Sequence, residues 1–269
     1  MLPSLDRDAG ARLRGRPRLL LFDIDGTLAP ITRHPHEAQI PETTRAVLAL
    51  LADQPATHIA LVSGRSASDA KRFLPGVRTW VIGNHGIELL DPSGTLSVHP
   101  AVEPYREAVA SAARALAAVS LRFPGTVLED KTWTLSMHYR LAEEPVAAPL
   151  RLEIARIAQP LGLRITEGKK IYEVRPTFPV DKGTAVVELA RSLGGLAPGA
   201  SVLFAGDDLT DEDAFIALAQ VAPHALTVRV SDTQPVALKT AATMVARDPA
   251  ALGDFLDWLV RAPTAGDAR

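Results

Sequence analysis

Leu19-Leu20-Leu21-Phe22-Asp23-Ile24-Asp25-Gly26-Thr27-Leu28 is the stretch on which the reading of this 269-residue chain turns. Residues 19–22 form a short apolar run bounded by a turn signal, the pattern of a strand buried on both faces of a parallel sheet. Two carboxylates stand at its carboxyl end, where open α/β sheets place their ligands. Gly26 permits a tight turn and a close backbone approach. A plain strand followed by an Asx turn would use the same residue types. Two acids at this spacing can also divide a reaction between them, one attacking an electrophile and the other giving and taking the proton. A divalent cation would offset their mutual repulsion.

Three more apolar runs end in polar residues of the same kind. The run 58–62 leads into Ser63-Gly64-Arg65, where a hydroxyl and the amides of a following helix can bind a phosphoryl oxygen. Ser63 would serve equally as that helix's N-cap. The run 79–82 ends in Gly83-Asn84-His85-Gly86, placing Asn84 and His85 at a third strand end, with a buried structural histidine as the plainer alternative. The run 202–205 ends in Gly206-Asp207-Asp208-Leu209-Thr210-Asp211-Glu212-Asp213, where so many acids repel one another unless a cation is present. Thr210 is the expected N-cap of the helix that follows, and Glu212 reads only as an acidic helix start. Asp181 would cap a helix beginning at Lys182, in a first turn whose dipole disfavours a lysine and so favours a functional role for it. Further strands are expected over 226–230 and 244–246, and helices over 42–53 and 251–260.

Between residues 101 and 174 the pattern changes. An Ala-rich helix over 104–120 precedes strands over 126–129 and 132–140. A helix over 145–158 precedes strands over 163–167 and 169–174. Helix–strand–strand, twice, is an α+β unit inserted into a parallel α/β core, placed to act as a lid. Residues 87–90 and 95–98 read as a hairpin. Alternation puts Lys169 and Glu173 on one face, about 13 Å apart at ~3.3 Å per residue. It sets His138 and Arg140 opposite Trp133, Leu135, Met137 and Tyr139. By composition alone this is a solvated charged face.

Phe-Asp-x-Asp-Gly-Thr-Leu at 22–28 resembles the first motif of haloacid-dehalogenase-type phosphatases, and Ser63, Lys182 and the 206–213 acids resemble the remaining three. Leu-Glu-Asp-Lys at 128–131, His-Tyr-Arg at 138–140, Gly-Lys at 168–169 and Glu-Val-Arg-Pro at 173–176, together with Gly-Asn-His-Gly, are similar to the trehalose-6-phosphate phosphatase family. The resemblance covers residues 19–260. It implies a Rossmann-like parallel-sheet α/β core, residues 1–100 and 175–269, with a C2-type α+β cap, residues 101–174. It implies Asp23 as nucleophile, Asp25 as general acid and base, and Ser63, Gly64 and Lys182 as phosphate binders. Mg²⁺ would bind Asp23, the backbone of Asp25 and Asp207, with Asp208 and Asp211 as outer ligands. Arg65, Asn84, His85, Glu129, Lys131, Arg140, Lys169 and Glu173 would face a sugar phosphate. The core motifs leave open other phosphatases, for sucrose phosphate or a mannosylglycerate phosphate, as well as a phosphomutase and an inactive sensor of sugar phosphates.

Composition narrows the rest. A net charge of -2 gives no case for nucleic acid or an anionic membrane, so any phosphate site must be assembled from local Lys and Arg. Zero cysteines exclude disulfides, thiolate metal sites and a thiol nucleophile, and are consistent with a cytoplasmic location. No apolar run is long enough to span a bilayer. Residues 1–18 and 262–269 read as loose ends. His34 and His36 lie in a Pro-rich loop and suit Mg²⁺ poorly, since that ion prefers oxygen. A trehalose-phosphate synthase is a functional link with no residue here to argue for it.

Overall fold

The computed structural model describes residues 2–32, 35–143, 145–168, 170–231 and 239–262. The chain divides into two compact units, Met1–Ser97 with Val180–Arg269, and Val98–Pro179. The first opens with α1 (Arg7–Gly10) and a short 3-10 turn, then runs β1 (Arg18–Phe22), α2 (Glu42–Ala52), β2 (Thr57–Val62), α3 (Ala67–Lys71), β3 (Thr79–Gly83), β4 (Glu88–Leu90) and β5 (Leu96–Val98). The second holds α4 (Arg106–Arg122), β6 (Val127–Asp130), β7 (Leu135–His138), α5 (Ala147–Ala158), β8 (Leu163–Gly168) and β9 (Ile171–Pro176). The chain returns to the first unit with α6 (Lys182–Ser192), β10 (Ser201–Gly206), α7 (Leu209–Val221), β11 (Leu226–Val230), β12 (Met244–Ala246) and α8 (Pro249–Arg261). Among the described residues no helix is long and apolar enough to cross a membrane.

The first unit is an α/β fold around an eight-stranded sheet of order β12-β11-β10-β1-β2-β3-β4-β5. The strands from β12 to β3 are parallel, and β4 pairs antiparallel with β3. Alternation along β1 sends Leu20 and Phe22 to one face and Leu19 and Leu21 to the other. The first pair packs with Leu48 and Leu51 of α2 and Leu252 and Leu256 of α8. The second packs with Val186 and Leu189 of α6 and Phe215 and Leu218 of α7. These four apolar side chains of β1 are at most 1% exposed, and burying each contributes about 1.5–3 kcal/mol. Helices therefore cover both faces, and function is left to the strand ends.

In the second unit an antiparallel sheet of order β6-β7-β9-β8 buries Leu135, Met137, Tyr172 and Val174 against Val109, Leu116, Leu150 and Ile154 of α4 and α5. The expected helix–strand–strand order is present, with different bounds. The strand expected over 132–140 covers only Leu135–His138. Thr132 adopts φ +71, and Lys131 and Thr134 close a turn through a 3.0 Å backbone bond, so the pleat cannot start earlier.

The N-terminal segment is not a loose tail. Asp6 caps α1, Leu13 is fully buried, and the Leu5 amide donates to the Val245 carbonyl at 2.7 Å. Gly10 lies against the Trp258 ring so closely that a Cβ there would stand 2.0 Å from it. The partners that fix this segment lie more than 200 residues away, beyond any local pattern. His36 is exposed in a short 3-10 turn, Pro35–Glu37, while His34 and residues 263–269 lie outside the described residues.

Candidate active site

Parallel register sets the ends of four adjacent strands side by side. Phe22 pairs with Ala205 and with Leu61, and Val62 with Ile82. The next residues along these strands are Asp23, Ser63, Asn84 and Asp207. The Asp23 amide donates to the Ala205 carbonyl at 2.9 Å, anchoring the first acid beside β10. The amides of Leu28 and Ala29 both donate to the Ile24 carbonyl, at 3.0 and 2.8 Å, and bend the chain back after Asp25. Gly26 sits at φ +92, and a Cβ there would meet Asp207 Oδ2 at 2.2 Å. Gly26→Ala is therefore expected to cost about 2 kcal/mol or more, seen as a drop of several degrees in melting temperature.

Lys182 lies at the start of α6, 2% exposed, behind a capping box formed by Asp181 and Thr184. Its Nζ donates to Asp23 Oδ1 at 2.9 Å and Asp211 Oδ1 at 2.8 Å. Asp211 Oδ2 accepts the amides of Asp207 and Asp208 at 2.9 and 3.0 Å. Each of Asp23, Asp207 and Asp211 offers a carboxylate oxygen within 4.8 Å of the others. One ammonium thus faces an excess of negative charge in a buried place. Burial pushes Asp23 well above the usual carboxylate range, with the charges of Asp211 and Asp207 adding to it and Lys182 opposing it. Burial likewise pushes Asp211 up to about 7. Burial alone would lower Lys182, but Asp211 and Asp23 outweigh it and hold the amine well above its ordinary value. A set of hard oxygen donors short of positive charge fits a divalent cation such as Mg²⁺.

Asp208, rather than Thr210, caps α7. Its Oδ1 accepts the amides of Thr210 and Asp211 at 2.8 and 3.2 Å. Burial opposes its ionisation, but Lys182 and the Thr210 hydroxyl hold it down to about 2. Thr210 falls inside the first turn because α7 already starts at Leu209, and its own amide is one of the donors that Asp208 caps.

Ser63 does not cap the next helix. Ser66 caps α3, which leaves the Ser63 hydroxyl to accept the Arg65 amide at 3.2 Å. Gly64 is flanked by the His85 ring, since a Cβ on Gly64 would stand 2.5 Å from Nε2. Asn84 and His85 are buried at φ +48 and +57, with their amides bonded to the carbonyls of Arg65 and Ser63 at 2.7 and 3.0 Å. The loops after β2 and β3 are therefore tied together. Arg65 directs its guanidinium at both Asp25 oxygens, at 2.7 and 2.8 Å, and at Asp69 at 2.8 Å, while lying 4.8 Å from the Phe73 ring centroid. The sequence reading does not reach Asp69; its spacing of four residues from Arg65 is the one local signal for the pair.

On the second unit's sheet, Lys131 Nζ pairs with Glu173 Oε1 at 3.1 Å, and the Ser136 hydroxyl lies 3.4 Å from that oxygen. Glu129 Oε2 is 2.9 Å from His138 Nε2. Ser136 and Glu173 are cross-strand partners, so these groups share the face opposite Leu135 and Met137. Arg140 lies past the end of β7, exposed in the turn. Lys169 lies outside the described residues.

A family model described as trehalose-phosphatase matches residues 21–250. The chain belongs to this family. The trehalose-phosphate phosphatase of Mycobacterium tuberculosis is 34% identical over 254 residues, 93% of this chain and 63% of that one. An uncharacterized glycosyl hydrolase of the same organism is 34% identical over 209 residues, 77% of this chain and 16% of that one. The chain thus spans less than two thirds of the length of these family relatives. A solved trehalose-6-phosphate phosphatase related protein superposes with TM-score 0.77 at 27% identity, covering 90% of this chain and 97% of that one. The family match takes in both the strand-end carboxylates and the polar face of the second unit.

Proposed function

We propose that this chain is a phosphatase that hydrolyses trehalose 6-phosphate to trehalose and phosphate. The observation that carries the reading is the Lys182 ammonium clasped between Asp23, just past the end of β1, and Asp211, in the first turn of α7. A buried cation beside a carboxylate at this place is suited to receive a phosphoryl group. The substrate follows from the family and from what its relatives are named for.

Asp23 attacks phosphorus, forming an acyl phosphate as the phosphorus–sugar oxygen bond breaks. Asp25 gives its proton to the leaving oxygen, then takes one from the water that attacks phosphorus and frees Asp23. Both Asp25 oxygens accept from the Arg65 guanidinium, so neither is turned toward a leaving group while both bonds are kept. The acid step therefore requires at least one of those bonds to loosen. Lys182 and the Ser63 hydroxyl hold phosphoryl oxygens throughout. Mg²⁺, held by Asp23 and Asp207 with Asp211 beside them, would neutralise charge on the transferring group. Lys131, Glu173, Glu129 and His138 supply donors and acceptors for sugar hydroxyls. The residues of the second unit carry the specificity in this reading, and those of the first the chemistry. We place the reaction in the cytoplasm, downstream of a trehalose-phosphate synthase.

Phosphate release with Mg²⁺ from trehalose 6-phosphate, sucrose 6-phosphate and glucose 6-phosphate tests the reading. A preference of about tenfold or more for the trehalose ester is expected, since a few polar contacts to the second glucose are worth ~1.4 kcal/mol or more. Equal rates on all three would leave the aspartate chemistry and remove the disaccharide assignment. No release from any would favour a sensor.

A further inference from the structure

Arg229 has no part in the chemistry described so far, yet it touches the acidic turn. It stands on β11 directly across from Gly206, the last residue of β10. One guanidinium nitrogen, Nη1, donates to the Asp208 carbonyl at 2.7 Å and to Glu212 Oε1 at 3.1 Å. The second Glu212 oxygen accepts the Ala241 amide at 2.8 Å. Both side chains of the pair are 13% exposed. One ion pair therefore fastens three pieces of chain: the turn after β10, the first turn of α7, and the segment leading into β12.

This is more than an acidic helix start requires. A surface acid in a first turn is favoured by the helix dipole with no partner at all. Here both Glu212 oxygens are directed, and the arginine they orient reaches the backbone between Asp207 and Asp211. That backbone is already held from inside, because the Asp207 and Asp208 amides close on Asp211. Arg229 closes it from outside. A bound cation tolerates misplacement of its carboxylates by only about 0.5 Å, so the groups that hold the turn set the affinity.

We propose that Arg229 and Glu212 are positioning residues that hold the Asp207–Asp211 turn in the geometry that binds the divalent cation. The inference rests on the reading of these acids as a cation site. The experiment is calorimetric titration of the full chain with Mg²⁺, alongside thermal melting without the metal, for the parent protein, Arg229→Met, Arg229→Lys, Glu212→Gln and the Arg229→Met/Glu212→Gln double variant. Arg229→Met is expected to raise the Mg²⁺ dissociation constant by about 10–100-fold, as loss of an outer-shell partner does. Arg229→Lys should recover part of that loss. The double variant should be little worse than Arg229→Met, because the two residues act as one unit. If Arg229→Met does not fold, the shift in Glu212→Gln decides the matter. Dissociation constants unchanged within about twofold, with only the melting temperature lowered, would reduce the pair to a brace and overturn the proposal. A parent protein that takes up no Mg²⁺ would overturn the cation reading and this inference with it.

Discussion

Asp23→Asn is expected to lower phosphate release from trehalose 6-phosphate by about 10⁴-fold or more while leaving the fold intact, because an amide cannot form the acyl phosphate. The stability side of this expectation follows from the charge count. Asp23 is buried, and its carboxylate is disfavoured by burial and by Asp211 and Asp207. Replacing it removes a buried negative charge and relieves that crowding. Lys182 keeps Asp211 at 2.8 Å, so the ammonium is not orphaned. The melting temperature without metal should therefore hold or rise. Circular dichroism melts and a phosphate-release assay check both halves. A variant that turns over within about tenfold of the parent would remove Asp23 from the nucleophile's role.

Lys182→Ala is expected to be destructive in a different way. It removes the ammonium that Asp23 and Asp211 share in a site only 2% exposed at the lysine. Losing one partner of a buried ion pair costs about 3–5 kcal/mol, and turnover should be lost as well. The loss has a pH signature. Asp211 already stands at about 7 in the folded chain against an ordinary 3.8, and Asp23 is raised too. Without Lys182 both move higher still. A carboxyl group raised in the folded state binds more protons folded than unfolded, so stability falls as pH rises from the unfolded value toward the folded one. The variant should consequently approach the parent near pH 4 and fall furthest behind above pH 7. Thermal melts across that range provide the measurement. A gap that narrows with rising pH would contradict the charge arrangement described here.

Much of this was legible from apolar runs that stop abruptly at polar residues. The run 19–22 became β1, 202–205 became β10, and the acids after each lie together because parallel register brings strand ends level. A buried strand is a local pattern, and so is Asp181 as the cap of α6. What a local pattern does not carry depends on partners distant in sequence. The N-terminal segment looks polar and loose until Trp258 and Val245 are placed beside it. Arg65 could be set near Ser63 by adjacency alone, but its hold on Asp25 spans forty positions. Glu212 read as a helix start because the dipole explains such an acid without help, and its arginine partner comes from another strand. The caps of α3 and α7 are Ser66 and Asp208 rather than Ser63 and Thr210, since every one of these side chains can cap and only backbone geometry chooses. On the second unit, alternation put Glu173 on the polar face, and the Lys131 partner emerged only from the fold of the turn at 131–134.

Phosphoryl transfer through a covalent bond to Asp23 leaves a species that can be trapped. The direct measurement is to quench the protein during turnover of trehalose 6-phosphate with Mg²⁺, reduce it with borohydride and map the peptides by mass spectrometry. An acyl phosphate is reduced to the alcohol, so homoserine at position 23, absent when substrate is withheld, is the result this account predicts. Homoserine at another carboxylate, or steady release of phosphate with position 23 never modified, would contradict it.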